Sequence, residues 1–351
     1  MHSYMDVDEC NDDINTNINL KSLDELLAKD FPPTEWIVDG LIPEQAIVLL
    51  SAHPASFKTW LALDLSLKVA TGEKFLNRFN TNKTGVLIMD AESGDRQLQK
   101  HFKILGASSD LPIYYQICNR KRIDKKFATD LLVKCLEKNI KLVIFDSLTR
   151  FHDANENDSR EMSGVFESFT TLKNHGVTCL VICHSRKSGI GDLNKQPNYR
   201  SQAESIRGSS DILAACDMHL AINRKDNSNT IIVSQTKNRF DTEINPFTAR
   251  FVKDSSDSSH WEFLEILDTA EDKSEQAKAL IYESIVSQPG LNQKQIYVAV
   301  MEAGLNCGKR KLAELLRSLV LDKLIYVKKG NRTEKLYYAV DGLEKGEMQN
   351  G

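Results

Sequence analysis

One short stretch near the start of the chain constrains the fold more than any other feature. Residues 46–50 form an apolar run typical of a buried strand, and residues 59–70 have the apolar spacing of a helix that ends at Gly72. Residues 51–59 connect the two and place a Lys directly before a Thr. A strand, a loop with Lys-Thr and a helix are the arrangement that a nucleotide-binding P-loop requires. The sequence therefore predicts a phosphate-binding loop.

The residue types in this loop suit phosphate. The N–H groups of a first helical turn, the helix dipole and a Lys ammonium attract phosphate oxygens, and a Thr hydroxyl can bind Mg²⁺. Lys58 and Thr59 fill these two side-chain roles. The nucleotide contacts that we expect come from the loop and the first helical turn: His53, Pro54, Ala55, Ser56, Phe57, Lys58, Thr59 and Trp60.

The loop departs from the consensus G-x-x-x-x-G-K-[ST] at both glycines. Ala52 and Phe57 stand at these two positions. A Phe can donate its backbone N–H, but a positive φ angle costs it conformational energy that glycine does not incur. The alternative interpretation is a loop whose Lys58 is merely solvated.

Composition sets the size and class of the protein. The chain has 351 residues, of which 41% are hydrophobic and 27% charged, enough for one large globular domain and a small one. No apolar run is long enough to span a bilayer and the first residues are acidic, so we expect a cytoplasmic protein without a membrane partner. Seven Cys without a C-x-x-C pair suggest neither a zinc site nor a disulfide framework.

Charge differs between the two ends of the chain. Residues 1–30 hold eight acidic residues and two Lys, whereas residues 274–340 carry eleven Lys and Arg against six Asp and Glu. The two ends therefore face different partners. We expect an acidic flexible segment with one short helix at residues 23–27, an α/β domain, a polar linker, a small α+β domain and a flexible tail. These divisions lie at residues 1–30, 31–267, 268–276, 277–341 and 342–351.

Apolar strands and helical segments alternate through the α/β domain. The predicted strands lie at residues 84–90, 113–117, 141–146 and 177–183. One predicted helix ends near Leu105, and two others lie at residues 129–138 and 160–174. Such alternation predicts a parallel sheet with helices on both faces. Three further strands, at residues 218–222, 229–235 and 261–266, could extend this sheet in antiparallel fashion. A turn is predicted at residues 252–259, before the last of them.

The basic C-terminal domain has the element order of a winged helix. Three predicted helices at residues 278–287, 293–303 and 309–321 precede strands at residues 324–328 and 335–339. In such a module the third helix and the hairpin touch DNA. The expected contacts are Lys309, Arg310, Lys311, Arg317, Lys328, Lys329 and Arg332. The alternative is a winged helix that serves protein contacts or oligomer packing.

Two carboxylates at strand ends complete the predicted site. Asp146 ends an apolar strand, where it can hold a Mg²⁺-bound water opposite Thr59. Glu92 follows the strand after the P-loop helix, where it can face the γ-phosphate and polarise the attacking water. The alternative for Glu92 is an exposed side chain at a strand end, without a catalytic role.

Three segments carry a resemblance to a known family. Residues 88–92, 146–152 and 181–185 resemble the core of a RecA-fold ATPase and, within that superfamily, the RepA-like hexameric helicases of plasmids and mobile elements. The resemblance covers roughly residues 36–266. It implies an α/β fold with a RecA-like, mainly parallel sheet sandwiched by helices. It also implies ATP and Mg²⁺ as ligands and a homohexamer that holds ATP between neighbouring subunits.

The resemblance further implies roles for residues outside the loop. His184 would sense the γ-phosphate. An arginine finger from the neighbouring subunit, typically worth ~10³ to 10⁵ in rate, would be Arg239 with Lys237, or else Arg207. The alternative for Arg207 is an ion pair that anchors a loop. The basic segment after His184 would contact single-stranded DNA through Arg186, Lys187, Lys195 and Arg200.

These expectations combine into one functional hypothesis and its competitors. We expect an ATP-dependent DNA motor: a homohexameric RepA-like replicative helicase that hydrolyses ATP at subunit interfaces and moves on single-stranded DNA, with duplex DNA at the winged helix. The alternative is a DNA-binding regulator or ring loader that uses ATP binding as an assembly switch without unwinding. A defence ATPase is a third interpretation.

Overall fold

The computed structural model describes residues 20–118, 122–154, 158–185, 210–225, 228–254, 258–267, 270–302, 308–330 and 334–340. The chain divides into two compact units, Met1–Glu35 and Trp36–Gly351. Among the described residues, none of the helices has the length and apolar character that a membrane crossing needs.

The described part of the first unit contains one short helix, α1 (Leu23–Leu27). Ser22 caps this helix, because its Oγ accepts a hydrogen bond from the Glu25 N–H at 3.1 Å. The Glu25 carboxylate in turn accepts one from the Ser22 N–H at 3.1 Å. This capping box satisfies two amide groups at the helix start. The predicted helix at Leu23–Leu27 is confirmed, and none of its residues is buried.

The second unit contains a large sheet within residues 36–267, which we call the sheet region. Its strands are β1 (Trp36–Val38), β2 (Ile42–Pro43), β3 (Ile47–Ala52), β4 (Gly85–Asp90), β5 (Ile113–Ile117), β6 (Ile140–Asp146), β7 (Thr178–His184), β8 (Met218–Arg224), β9 (Thr230–Asn238), β10 (Phe247–Lys253) and β11 (Ser259–Ile266). β1 and β2 pair with each other, and the nine others form one sheet in the order β11-β10-β9-β8-β3-β7-β6-β4-β5.

Most of this sheet is parallel. The strands from β8 to β5 in that order run in one direction, whereas β9, β10 and β11 are antiparallel to their neighbours. The parallel strands are almost continuously buried, because helices cover both of their faces. The predicted mainly parallel α/β sheet is confirmed.

Helices cover the sheet on two sides. The helices of the sheet region are α2 (Lys58–Thr71), α3 (Asp95–Ile104), α4 (Lys125–Glu137), α5 (Ser159–Lys173) and α6 (Ser210–Ala215). α2 and α3 pack into one apolar core through residues such as Leu61 and Leu98. α4, α5 and α6 pack into a second core through residues such as Leu131, Phe169 and Ile212.

The register of the parallel strands brings their carboxyl ends into one line. Ala52 at the end of β3 pairs with His184 at the end of β7. Asp146 at the end of β6 pairs with Asp90 on one side and with Ile182 on the other. Groups that follow these strands therefore meet at one edge of the sheet, which we call the carboxyl edge.

The antiparallel end of the sheet is larger than the sequence predicted. β10 (Phe247–Lys253) was not predicted, and residues 252–259, predicted as a turn, contribute ends to both β10 and β11. β10 pairs with β9 and with β11, so two long-range partners hold it extended. Strand formation depends on such partners more than on local preference.

The C-terminal region, residues 270–340, has its own apolar core. Its elements are α7 (Ala270–Ser287), β12 (Leu291–Asn292), α8 (Gln293–Glu302), α9 (Lys309–Leu321), β13 (Ile325–Lys329) and β14 (Lys335–Ala339). The strands pair antiparallel in the order β12-β14-β13. The core includes Ile281, Ile296 and Leu315. The predicted element order of three helices and a hairpin is present, and the winged helix itself stays a prediction.

One predicted boundary in this region is wrong. The polar segment at residues 268–276 was predicted as a linker, but α7 begins at Ala270. This segment is rich in Ala, Glu, Lys and Gln, which have high helix propensity. Its polarity therefore accompanies the first turns of a helix rather than a connection.

Candidate nucleotide-binding site

The loop between β3 and α2 adopts a conformation that the consensus glycines would favour. β3 ends at Ala52 and α2 begins at Lys58. Within the loop, Ala55 has φ +60° and Phe57 has φ +64°. Phe57 is the residue before the helix, so its left-handed conformation directs the chain into the first turn of α2. Phe57 thus adopts a positive φ angle in this fold despite the conformational energy that such an angle costs.

The Lys58 side chain lies within the loop. Its Nζ donates hydrogen bonds to the carbonyl of Ala52 at 3.1 Å and to that of His53 at 2.9 Å. Only 7% of Lys58 is exposed, and burial lowers the pKa of its ammonium from the ordinary value. A buried ammonium held by two carbonyls at the start of α2 can be attracted to a phosphate.

Thr59 and Asp146 meet at the carboxyl edge. The Thr59 hydroxyl donates a hydrogen bond to Asp146 Oδ2 at 2.6 Å. Burial raises the pKa of Asp146 to about 6, and the hydrogen bond from Thr59 opposes this rise. A hydroxyl and a carboxylate in direct contact are a hard oxygen donor set, which fits Mg²⁺.

Glu92 lies beside these groups. Asp90 shapes the turn after β4, because Oδ1 accepts hydrogen bonds from the N–H groups of Glu92 and Ser93, each at 2.8 Å. The Ser147 hydroxyl donates to Glu92 Oε1 at 2.5 Å, and His184 Nε2 lies 3.6 Å from the same oxygen. Interaction with His184, followed by the hydrogen bond from Ser147, lowers the pKa of Glu92 to about 2. Glu92 is therefore ionised.

The end of β7 is tied to the P-loop. The Ser185 N–H donates to the Ala52 carbonyl at 3.1 Å, and the Ser185 hydroxyl lies 3.2 Å from His53 Nδ1. His184, which precedes Ser185, is one quarter exposed. The last residue of β7, His184, thus contacts the Glu92 carboxylate, and the next residue, Ser185, contacts the loop.

Comparisons with known proteins bear on the class of protein that contains this site. A sequence model described as an AAA domain matches residues 15–189, just under half of the chain. Two proteins called "Probable plasmid replicative DNA helicase", from Chlamydia trachomatis serovar L2 and from Chlamydia trachomatis, are each 22% identical over 233 residues. Each match covers 58% of this chain and 50% of the relative, so the chain spans about half the length of the curated relatives it matches.

A solved structure shares the fold. It is described as "The Structure Of A DnaB-Like Replicative Helicase And Its Interactions With Primase". The TM-score is 0.51 with 15% sequence identity, over 69% of this chain and 66% of that chain. The chain carries a RecA-fold ATPase domain.

The RecA-fold ATPase domain contains site residues that the sequence did not indicate. Ser147 follows Asp146 directly, and its hydroxyl could have been noted as the next polar group after the strand. Arg224 lies beyond the predicted end of its strand at residue 222, because β8 continues for two more residues. Phe251 lies on the unpredicted β10, and its ring packs 5.7 Å from that of Phe57.

Lys237 and Arg239 lie away from this site within their own chain. Lys237 lies near the end of β9, where it pairs with His219 near the start of β8, and Arg239 directly follows β9, at the edge opposite the carboxyl edge. The Lys237 ammonium donates to the carbonyls of Leu213, Ala214 and Cys216 at 2.7, 3.0 and 2.6 Å. Arg239 donates to the Ala214 carbonyl at 2.8 Å, and half of its side chain is exposed. The predicted role of this pair in a neighbouring subunit stays a prediction.

The predicted DNA contacts divide into described and undescribed residues. Those outside the described residues are Arg186, Lys187, Lys195, Arg200 and Arg332, and so is Arg207, the competing candidate for the arginine finger. Those that are described and exposed are Lys309, Arg310, Lys311, Arg317, Lys328 and Lys329. Lys328 Nζ lies 5.3 Å from the ring centre of Tyr326 and 5.2 Å from that of Tyr338. The described basic residues thus lie on the helix and hairpin where the sequence predicted them.

Proposed function

We propose that this chain is an ATP-dependent DNA motor, a homohexameric replicative helicase of the RepA-like type. The observation that supports this most is the convergence of five groups at the carboxyl edge of the sheet. These groups are Lys58, Thr59, Glu92, Asp146 and His184. Three functions needed for phosphoryl transfer are present there: a cation for phosphate, an oxygen pair for Mg²⁺ and a carboxylate for water.

The chain's own groups bind and orient the nucleotide. Lys58 and the N–H groups of the first turn of α2 hold the phosphates of ATP. Thr59 and Asp146 hold Mg²⁺, in keeping with their mutual contact at 2.6 Å. When bound, Mg²⁺ neutralises charge on the phosphate oxygens. Burial raises the pKa of Asp146 to about 6, and the charges of Glu92 and Asp90 add to this rise, so a bound cation favours its ionised form.

Glu92 and His184 link hydrolysis to the rest of the chain. A carboxylate with a pKa of about 2 is a weak base, because general bases work best with a pKa near the working pH. Glu92 therefore becomes active when it exchanges its contacts with Ser147 and His184 for a water molecule. His184 leads into the segment after β7, so its release from Glu92 can transmit the state of the γ-phosphate to a DNA-binding segment.

The neighbouring subunit supplies a cation in this proposal. Arg239 is half exposed, at the sheet edge opposite its own chain's site, and lies 3.5 Å from Asp217, so its role as a finger requires that it leave Asp217 for the site of another copy. Lys237 holds the end of α6 and supports Arg239 from within. Arg207 is the competing candidate. Hydrolysis then depends on ring assembly.

DNA contacts come from two basic surfaces. The segment after β7, with Arg186, Lys187, Lys195 and Arg200, contacts the backbone of single-stranded DNA in the ring. The exposed basic residues of α9 and the hairpin contact duplex DNA. The coverage of half of the helicase relatives' length means that other parts of those proteins have no counterpart in this comparison.

Steady-state ATP turnover with and without single-stranded DNA tests the proposal. We expect turnover that DNA stimulates. Lys58→Ala abolishes it through lost phosphate binding, and Glu92→Gln abolishes turnover while ATP stays bound. Lys68→Ala, on the same helix but paired at the surface with Glu73, is the matched control and retains turnover. Turnover that survives Lys58→Ala contradicts the assignment of the site.

A second candidate function is a DNA-binding regulator that uses ATP as an assembly switch. The engagement of Glu92 by His184 and Ser147 favours it, because that arrangement binds nucleotide without activating water. Strand displacement on a forked duplex separates the two functions. Displacement driven by ATP supports the motor. ATP-dependent assembly without displacement or turnover supports the regulator.

A further inference from the structure

The P-loop contains two residues with side chains in a backbone region that favours glycine. Phe57 has φ +64° and Ala55 has φ +60°. A left-handed conformation brings Cβ too close to the following carbonyl oxygen, so each residue raises the energy of this loop relative to glycine. Residues held in such regions persist when their surroundings determine the conformation. Contacts from elsewhere in the chain must therefore hold the loop.

An aromatic cluster holds the Phe57 side chain. The Phe57 ring centre lies 5.6 Å from that of Trp261 in an edge-to-face arrangement and 5.7 Å from that of Phe251. Phe251 and Trp261 also pack on each other at 5.2 Å. Only 2% of Trp261 is exposed. Both partners belong to the outer antiparallel strands β10 and β11, far from Phe57 in sequence.

Arg224 contacts both of the unusual residues. Its guanidinium carbon lies 4.5 Å from the ring centre of Phe57, within the range of a cation–π interaction. Its NH1 group donates a hydrogen bond to the Ala55 carbonyl at 3.1 Å. Its Nε donates to the Ser228 carbonyl at 2.8 Å, which fixes the guanidinium plane.

The hydrogen bond to Ala55 has a consequence for phosphate binding. In a planar trans peptide the C=O and the next N–H point in opposite directions. Arg224 draws the Ala55 carbonyl towards itself and so turns the Ser56 N–H to the opposite side of the loop. Arg224 therefore orients a donor of the loop, the Ser56 N–H, from the opposite side of the peptide.

We propose that Arg224 and the Phe57–Phe251–Trp261 cluster replace the glycine that is missing at position 57 of this P-loop. They hold the loop in its phosphate-binding conformation, and Arg224 is a positioning residue for ATP. This inference rests on the proposed nucleotide-binding function. It predicts that ATP binding depends on Arg224 only when residue 57 carries a side chain that must be held.

The test measures the affinity of the full chain for a fluorescent ATP analogue with Mg²⁺. Arg224→Ala weakens binding about tenfold, the equivalent of the strain that one left-handed residue carries. Arg224→Lys recovers part of this loss, because it keeps the charge over the ring. Phe57→Gly binds within about fivefold of the wild type, since glycine accepts the conformation but leaves a more flexible loop.

The double variant distinguishes positioning from general stabilisation. In the Phe57→Gly background, Arg224→Ala changes affinity by less than about threefold, because glycine no longer needs to be held. In steady-state turnover measured over a range of ATP concentrations, Arg224→Ala raises KM far more than it lowers kcat. Arg78→Ala is the matched control: its guanidinium lies 4.4 Å from the ring centre of Phe263, away from the loop, and its loss leaves ATP affinity within about twofold.

Three outcomes would overturn the inference. The first is an equal loss of affinity on Arg224→Ala in both backgrounds. The second is an Arg78→Ala loss as large as that of Arg224→Ala, which would indicate general destabilisation. The third is a drop in kcat with KM unchanged. A wild-type chain that binds no Mg²⁺-ATP would refute the proposed function itself, whereas normal binding with any of the three outcomes refutes only this inference.

Discussion

Asp64 gives the helix that carries the P-loop a pH-dependent stability. This residue lies on α2 and is only 3% exposed, and its Oδ2 has no hydrogen-bond partner within the described residues. Burial raises the pKa of Asp64 to about 7. The charges of Lys68 and His260 lower it in part, and that of Glu73 raises it. The folded protein thus favours the protonated carboxyl up to nearly neutral pH.

The sign and size of the effect follow from linkage. The unfolded chain releases the Asp64 proton near pH 4, whereas the folded chain keeps it to about pH 7. Between these values the folded state binds more protons, so its free energy of unfolding falls as pH rises. About three pKa units at 1.36 kcal/mol each give a total of about 4 kcal/mol, of which about 3 kcal/mol falls between pH 5 and pH 8.

Asp64→Asn removes this dependence, because the amide does not titrate. From pH 5 to pH 8, we expect the stability difference between variant and wild type to shift by about 3 kcal/mol in favour of the variant. Urea unfolding followed by tryptophan fluorescence measures it, since all three tryptophans, Trp36, Trp60 and Trp261, lie in the ATPase domain. Asp130→Asn, at an exposed position on α4, is the control.

The reasoning is refuted by a constant difference. If Asp64→Asn and the wild type differ by the same amount at pH 5 and pH 8, as Asp130→Asn is expected to do, then Asp64 is ionised in the folded protein at pH 5. Lys68, which shares its helix, would be the first partner to examine, through Lys68→Met in the same assay.

Three further predictions concern the proposed motor. His184→Ala frees the Glu92 carboxylate from its contact with His184, so we expect basal ATP turnover to persist while its stimulation by single-stranded DNA disappears; unchanged stimulation would show that coupling takes another route. Arg239→Ala should leave ATP affinity unchanged and lower kcat of the assembled ring by ~10³ or more, and normal turnover would exclude it as the finger. The joint change Lys309→Ala and Arg310→Ala should reduce the slope of log K against log salt for duplex DNA by about 2, as titrations at several salt concentrations can measure.

The parallel half of the sheet could be predicted from the sequence because strands that are buried on both faces have a recognisable local sequence pattern. Such strands are short continuous apolar runs that end in polar groups, and helices of period 3.6 separate them. The strand at Ile113–Ile117 was predicted to the residue, and those ending at Asp90 and Asp146 to within one. The candidate site followed, because Lys58, Asp146 and Glu92 stand at the ends of such elements.

What the sequence could not show depends on distant partners. The conformation of Phe57 depends on the rings of Phe251 on β10 and Trp261 on β11, about two hundred residues later in the chain. No local sequence pattern predicts that contact. β10 itself carries charged residues on a partly exposed strand and is held by its two neighbours. Lys237 was recognised by its spacing to Arg239, yet its contacts with the end of α6 appear only in the fold.

The aligned strand ends divide this protein into a part that resists change and a part that tolerates it. Each of β3, β4, β6 and β7 is hydrogen-bonded on both sides, and a shift of one residue in any of them would turn its side chains to the opposite face. Insertions or deletions within these strands should therefore abolish function at once. Register places no such restriction on the segments that leave the strands at the carboxyl edge, but the ones that carry Lys58, Glu92 and Ser147 are restricted by the site itself. Over evolutionary time, or in the laboratory, a chain of this kind can exchange its other connecting segments while the nucleotide site stays the same.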